Sequence, residues 1–397
     1  MVVSTRKALD GAHACAEAMR QINPDVLAAY PITPQTAIVQ TFSQYVADGR
    51  VNTEFIPVES EHAAMSACVG AASAGGRVMT ATAANGLALM LEIVYIAASG
   101  RLPIVMPVVN RALSAPLNIH CDHSDSMMAR DSGWIQLYSE SAQEAYDNLI
   151  QAIRIAEHPD VLLPVMVMLD GFITGHGVER MEVLDDAAVQ GFIGTYTAKH
   201  SLLDVDNPIT FGAWDMYDYY FEHKRQQTDA MSKAMPVIVD MGKEFGKAFG
   251  RDYGIFDPYA MDDAELAIIV LSSAAGTART TVKELRSKGL KIGLLKPRVI
   301  RPFPAQELAD ALKNVKAVAV LDRSISFGAM DGAGPLFLEV CTALFAAGAK
   351  TKVLDYIFGL GGRDVVPQHF RQVASDLQDV AATGKVKSLV NYLGLRE

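Results

Sequence analysis

A polar residue that could do chemistry follows each of four apolar runs. Thr33 follows "VLAAY" (26–30), Glu59 and Glu61 follow "EFIPV" (54–58), Asn85 follows "RVMTATA" (77–83), and Asn110 and Arg111 follow "PIVMPVV" (103–109). If these runs are parallel strands of one sheet, the residues after them gather beyond its carboxyl edge, where open α/β sheets bind ligands. A hydroxyl, one or two carboxylates, an amide and a guanidinium would line that edge. Such a set suits a small anion and a group that needs proton traffic. Each member also has a plain structural use. Thr33 can cap a turn, Glu59 and Glu61 can answer a helix dipole, Asn85-Gly86 can be a loop, and Arg111 can be a surface ion pair. Of the two carboxylates, Glu61 is the sharper candidate. The helix that follows it, "HAAMSACVGAASAGG", is apolar enough to be buried, and a buried carboxylate needs a partner. Thr33 stands between Pro31 and Pro34. Prolines restrict the backbone around it and aim its hydroxyl at little ordering cost.

Residues 118–134, "NIHCDHSDSMMARDSGW", hold His120, Cys121, Asp122, His123 and Asp125. Metal ligation by all of them would require a sharply folded loop, so an active-site loop without metal is preferred. No nucleotide P-loop, dinucleotide fingerprint or nucleophile elbow is present.

The elements that must position these residues alternate between strand and helix. Alanine-rich 8–22 reads as a helix, as do 36–46, 60–72, 87–98 and the segment from Ser139 to Pro159. The intervening apolar runs, with "VLLPVMVML" (161–169), read as strands. Their continuous rather than alternating apolarity predicts a parallel sheet covered on both faces. Residues 179–258 carry aromatics and charges ("WDMYDYYFEHKRQQ") and few strand signals, which predicts a helical extension. A second α/β unit, 259–397, alternates again, with "ELAIIVLSS", "KIGLLKPRVI", "AVAVLDR" and "TKVLDYIFG" as strands and a helical close over 367–396. The expected fold is two parallel-sheet α/β domains, 1–258 and 259–397, joined by a mainly helical segment.

The chain has 397 residues, 50 % of them hydrophobic and 20 % charged, so cores are ample and disorder is not expected. A net charge of −10 argues against nucleic acid or an anionic membrane as the main partner. The four cysteines, Cys15, Cys68, Cys121 and Cys341, are scattered without a CxxC pair, which fits buried free thiols in a reducing cytoplasm. The first residues lack the apolar core of a signal peptide, and no run is long enough to span a membrane.

Several segments together resemble the α subunit of pyruvate:ferredoxin oxidoreductases, within the 2-oxoacid:ferredoxin oxidoreductase family. They are "AYPITPQT", "PVESEHAA", "VVNRALSAPLNIHCDHSDSMMARDSGW", "SESAQEAYDNLIQAIRIAE", "VMVMLDGF", "LDVDNPITFGAW", "LLKPRVIRPFP" and "VAVLDRSISFG". The resemblance runs in order along nearly the whole chain. It implies a thiamine diphosphate enzyme whose first unit holds the cofactor's aminopyrimidine and whose second is similar to the C-terminal domain of transketolases. The family's diphosphate and magnesium motif, GDG, does not occur here, nor do iron–sulfur cysteines. The resemblance therefore implies that magnesium and the 4Fe-4S clusters belong to partner chains, a β subunit and a ferredoxin-like subunit, with ferredoxin as electron acceptor.

By position, Glu61 matches the family glutamate at the pyrimidine ring nitrogen, Arg111 the arginine near cofactor and substrate, and Thr33 the threonine that bonds the substrate. The implied reaction is reversible oxidative decarboxylation, with electrons passed singly to iron–sulfur clusters and the acyl group taken by coenzyme A. A small hydroxyl at position 33 and no second cation in "YPITPQT" favour pyruvate over oxalate or 2-oxoglutarate; 2-oxoisovalerate is a further alternative. The other readings are a self-sufficient transketolase-like homodimer, opposed by the missing diphosphate motif, and a subunit that only docks partners.

Overall fold

The computed structural model describes residues 4–396. Seven strands form the first sheet in the order Val299–Arg301, Ile135–Tyr138, Val165–Asp170, Val105–Asn110, Val78–Met79, Val26–Ala29 and Glu54–Pro57. All neighbours are parallel except the Val299–Arg301 edge, which runs antiparallel to Ile135–Tyr138. Six strands form the second sheet in the order Val390–Leu393, Lys352–Phe358, Ala317–Asp322, Leu266–Val270, Ile292–Pro297 and Phe256–Tyr259, with only the last antiparallel. Two parallel-rich α/β sheets are thus present, as the apolar runs predict. The strands at the centre, such as Val105–Asn110 and Val165–Asp170, are buried along their whole length because helices cover both faces.

Local chemistry sets the helix starts. Ser60 accepts from the Ala63 N–H at 3.1 Å and opens Glu61–Ser73. Ser141 accepts from the Glu144 N–H at 3.2 Å and opens Ala142–Glu157. Each satisfies a donor that the first turn of a helix leaves free. The alanine-rich helix is shorter than its composition suggests. Ser4–Leu9 is a strand, Asp10 caps the turn, and the helix is Gly11–Ile22. That strand pairs antiparallel with Glu179–Leu184, a strand at the start of the segment with few strand signals. Both have charged residues facing solvent, so neither shows a long apolar run.

Other elements also depart from the sequence expectation. The helix expected over 87–98 is two, Ala84–Leu89 and Leu91–Ser99. Ile135–Tyr138 is a wholly buried strand that the short sequence between loop and helix conceals. The helical extension holds a short helix, Asp186–Ile193, then an irregular arm and one long helix, Tyr220–Phe249. The expected C-terminal helix ends at Thr383 with Gly384 in the left-handed conformation, and Val390–Leu393 returns as a strand.

One strand expectation is corrected in a way that ties the units together. "KIGLLKPRVI" is not a single strand. Ile292–Pro297 lies in the second sheet, and Val299–Arg301 crosses to the edge of the first. Pro297 has no N–H to extend the ladder. Arg298 at the crossover is fully buried and donates to Asn148 Oδ1 at 2.7 Å and Gln151 Oε1 at 3.0 Å. One apolar core also runs through both units, joining Met106, Trp134 and Met168 to Leu308, Leu336 and Val320. Among the described residues no helix is long and apolar enough to cross a membrane. All four cysteines are free, and Cys15, Cys68 and Cys121 are buried.

Candidate active site at the carboxyl edge of the first sheet

The turn after Val26–Ala29 is held from below by Gln35. Its amide donates to the Ala81 carbonyl at 2.8 Å and accepts from the Ile32 N–H at 3.1 Å. The turn therefore cannot move independently of the neighbouring strand, and exposed Thr33 sits at its tip. Arg111 comes to it from the end of Val105–Asn110. Its Nη1 donates to the Thr33 carbonyl at 2.8 Å, and its Nε donates to the Asn118 carbonyl at 3.1 Å. Arg111 is only 8 % exposed. Among the described residues no carboxylate forms a salt bridge with it, so its charge is met by carbonyl dipoles alone. Thr33 and Arg111 are thus brought together, while Asn85 is exposed and accepts from the Ser114 N–H at 3.2 Å.

Glu61 and Glu59 separate as burial would require. Glu59 is exposed, and Glu61 is 6 % exposed at the first position of its helix. The hydrogen bonds at this helix start belong to Ser60 and Ser66, and among the described residues none reaches the Glu61 carboxylate. The carboxylate lies against Gly86. A Cβ there would fall 2.7 Å from Glu61 Oε1 and 2.6 Å from Thr82 Oγ1, too close for any side chain. The Thr82 hydroxyl is buried and lacks a hydrogen-bond partner. A buried carboxylate without a donor and an orphan hydroxyl, drawn together on a glycine, suit a heteroaromatic ring bearing both donor and acceptor nitrogens. A thiamine aminopyrimidine fits that description.

The polar loop after Arg111 is exposed over 114–117 and at Ile119 and His120, and then turns inward. It contains the short helix Ser124–Met128, and Asp122, His123, Asp125 and Ser126 are all buried. Asn118 donates to the Gly361 carbonyl of the second unit at 3.0 Å, and the Cys121 carbonyl accepts from the Gly362 N–H at 2.6 Å. Gly361 and Gly362 have positive φ values of 60° and 81°, and a side chain on either would collide with Asn118 or His120. Glycine is required at this junction for space as well as conformation.

Cys121, His123 and Asp170 place one ligand atom each within 4.8 Å of one another. The positive charge there belongs to Arg323 of the second unit, which donates to Asp170 Oδ2 at 2.9 Å and approaches the Cys121 sulfur at 3.7 Å. His123 Nε2 lies 2.8 Å from Asp170 Oδ1, and the Ser273 hydroxyl also bonds this carboxylate. Burial raises the Asp170 pKa, but Arg323 and His123 outweigh it and hold the carboxyl well below its ordinary range. The donor set therefore serves as an ion-paired lock between the units. Asp170, Arg323 and the bond from Gln35 to Ala81 escape a sequence reading because the partners lie far apart along the chain.

A model described as "Pyruvate flavodoxin/ferredoxin oxidoreductase, thiamine diP-bdg" matches residues 17–243, and one described as "Pyruvate:ferredoxin oxidoreductase core domain II" matches residues 264–370. The chain is 56 % identical to the pyruvate synthase subunit PorA of Thermotoga maritima, over 100 % of this chain and 99 % of that one. It is 48 % identical to the PorA of Methanocaldococcus jannaschii, over 90 % and 91 %. It is also 41 % identical to the ketoisovalerate oxidoreductase subunit VorA of Pyrococcus abyssi, over 98 % of each chain. Among solved structures, the 2-oxoglutarate:ferredoxin oxidoreductase of Magnetococcus marinus superposes with a TM-score of 0.70 at 18 % identity, covering 95 % of this chain and 65 % of that one. A split-gene transketolase superposes at 0.56 and 12 % identity, over 96 % and 100 %. These two likenesses concern the fold. Matched over most of its length by two family models and aligned from end to end with PorA subunits, the chain belongs to the pyruvate:ferredoxin oxidoreductase family as an α subunit.

Proposed function

We propose that this α subunit forms one wall of a thiamine diphosphate site shared with a β subunit, and that the complex oxidatively decarboxylates pyruvate, with coenzyme A as acyl acceptor and ferredoxin as electron acceptor. Magnesium and 4Fe-4S clusters belong in this reading to the β and ferredoxin-like partner chains, and the complex works in the cytoplasm. The pyrimidine-binding unit comprises residues 1–258 with its extension 179–258, and the transketolase C-terminal-like unit comprises 259–397. The two family models, ending at 243 and starting at 264, support a division between them.

When bound, thiamine diphosphate supplies the carbon nucleophile for a 2-oxo group and the electron sink that loss of carbon dioxide needs. The residues of this chain do the rest of the work on their side. Glu61 holds the pyrimidine ring nitrogen and shares a proton there, and its burial beside Gly86 keeps water from competing. Arg111 receives the substrate carboxylate with a guanidinium that no protein anion neutralises. Thr33, fixed to Arg111 through its carbonyl, turns its hydroxyl to the substrate.

One observation carries this reading: a nearly buried Arg111 whose guanidinium, among the described residues, bonds carbonyls and no carboxylate. A desolvated cation in that state favours an incoming anion. Pyruvate is preferred because the turn beside Arg111 offers a threonine and no second cation for a dicarboxylate. A second acid, 2-oxoisovalerate, is favoured by the VorA relative, whose 41 % identity nearly equals the 43 % of the PorA from the same organism. The complete complex assayed with pyruvate, 2-oxoisovalerate, 2-oxoglutarate and oxalate decides. Pyruvate should have the highest kcat/KM, and a tenfold preference for another acid would replace it.

A further inference from the structure

Asp125 is a wholly buried carboxylate to which no cation bonds among the described residues. Four N–H groups meet it instead. Oδ2 accepts from the Ala84 N–H at 2.9 Å and the Arg111 N–H at 3.0 Å. Oδ1 accepts from the Asn110 side-chain amide at 2.7 Å and the Ser126 N–H at 2.7 Å. Asp322 and Asp355 in the second unit are likewise buried and met by backbone N–H groups, those of Leu336 and Phe337 and of Gly334, whereas two further buried aspartates are neutralised by arginine. Asp147 receives Arg251 at 2.6 and 2.8 Å, and Asp170 receives Arg323 at 2.9 Å. A buried anion held by dipoles alone is expensive unless every bond is well made.

The donors come from two different sheet connections. Ala84 is the first residue of the helix Ala84–Leu89 that carries Gly86 against Glu61, and it has a positive φ of 42°, a conformation unfavourable to alanine. Its N–H is held in that pose by Asp125. Asn110 ends the neighbouring strand, and Arg111 immediately after it carries the guanidinium that reaches Thr33. One carboxylate thus spans the two backbones from which the pyrimidine cradle and the substrate cation project.

We propose that Asp125 is a positioning residue for the reaction, locking Arg111 and the Ala84–Gly86 turn in one register so that Glu61 and the guanidinium keep a fixed separation. This rests on the roles given above to Glu61 and Arg111. A displacement of about 1 Å in such a pair can cost about 100-fold in rate. Asp125→Asn keeps the size but turns an N–H₂ group toward N–H donors.

The test uses the complete complex and a control at the opposite edge of the sheet, where Glu157 pairs with Arg77 at 2.7 and 2.9 Å. Asp125→Asn should lower kcat/KM for pyruvate roughly 100-fold, while Glu157→Gln stays within about threefold. Because Asp125 acts through Arg111, the double variant Asp125→Asn/Arg111→Lys should lose much less than the product of the two single losses. Normal turnover in Asp125→Asn, an equal loss in Glu157→Gln, or multiplicative losses in the double variant would each overturn the proposal. If Asp125→Asn does not assemble, Asn110→Ala removes one donor and leaves the carboxylate. It should lower turnover about tenfold, again non-additively with Arg111→Lys; unchanged turnover overturns the proposal. An impaired Arg111→Lys with a normal Asp125→Asn defeats only the positioning role. A normal Arg111→Lys defeats the assignment of the site itself.

Discussion

Arg111 and Arg323 each stand immediately after a buried parallel strand, one in each sheet, and both are nearly inaccessible. Their surroundings differ completely. Arg323 meets the Asp170 carboxylate and lies over the Phe358 ring at 5.0 Å, so its charge is spent inside the protein. Arg111 meets carbonyls and keeps the capacity for an anion. The carboxylates mirror this contrast. Burial pushes the Asp125 carboxyl up to about 6 although the N–H groups of Arg111, Asn110 and Ala84 oppose the rise, whereas the cations beside Asp170 overcome burial and pull it down. Position after a strand makes a residue available at a sheet edge; the partner supplied by the rest of the fold decides between binding and bolting.

The largest expected effect tests the binding edge. Glu61→Ala should cut turnover of the assembled complex by about 1000-fold or more, within the range general acid–base groups supply; steady-state rates with pyruvate, alongside size-exclusion profiles, check it. Next comes the contrast between the arginines. Arg111→Ala should lower kcat/KM about 100-fold with little change in unfolding, because the proposed function matches its charge with substrate and not with the fold. Arg323→Ala should instead cost about 3–5 kcal/mol of stability, since it strands Asp170. Denaturant unfolding of both variants would dissolve the contrast if they behaved alike.

A smaller effect separates the two aspartates by pH. Asp125 has a raised folded pKa, so between its ordinary value and about 6 the folded state holds a proton that the unfolded state has lost. Falling pH therefore stabilises the fold through this group across that window, and rising pH withdraws the contribution. Asp170 has a lowered pKa, so its contribution is present above the ordinary carboxyl value and is lost as pH falls toward the folded one. Urea unfolding from pH 4.5 to 7 should show a flatter favourable trend toward acid in Asp125→Asn than in the parent. The smallest effect concerns the support of the site: Ser60→Ala removes a helix cap and should cost about 1 kcal/mol while turnover changes less than twofold.

The legible part of this molecule was the part whose cause is local. Thr33, Glu61 and Arg111 could be picked out because each follows an apolar run, and a parallel sheet brings such positions to one edge. Ser60 and Ser141 announce helix starts through bonds three residues long. Ile135–Tyr138 was not legible, because four buried residues between a loop and a helix carry no period of their own. The crossing at Arg298 was hidden for the opposite reason: an unbroken apolar run does not say that its two halves belong to different sheets.

What the sequence by itself determined is the alternation of strands and helices, the family, and the residue types at the sheet edge. All of these depend on neighbours within a few positions or on motifs in order along the chain. Only the tertiary structure decided which of those residues is left with an unspent charge. Asp170 and Arg323 are separated by 153 positions, Arg111 and Thr33 by 78, and Ala84 and Asp125 by 41. The energy of a buried charge depends on what stands within a few ångströms of it, and folding alone sets that.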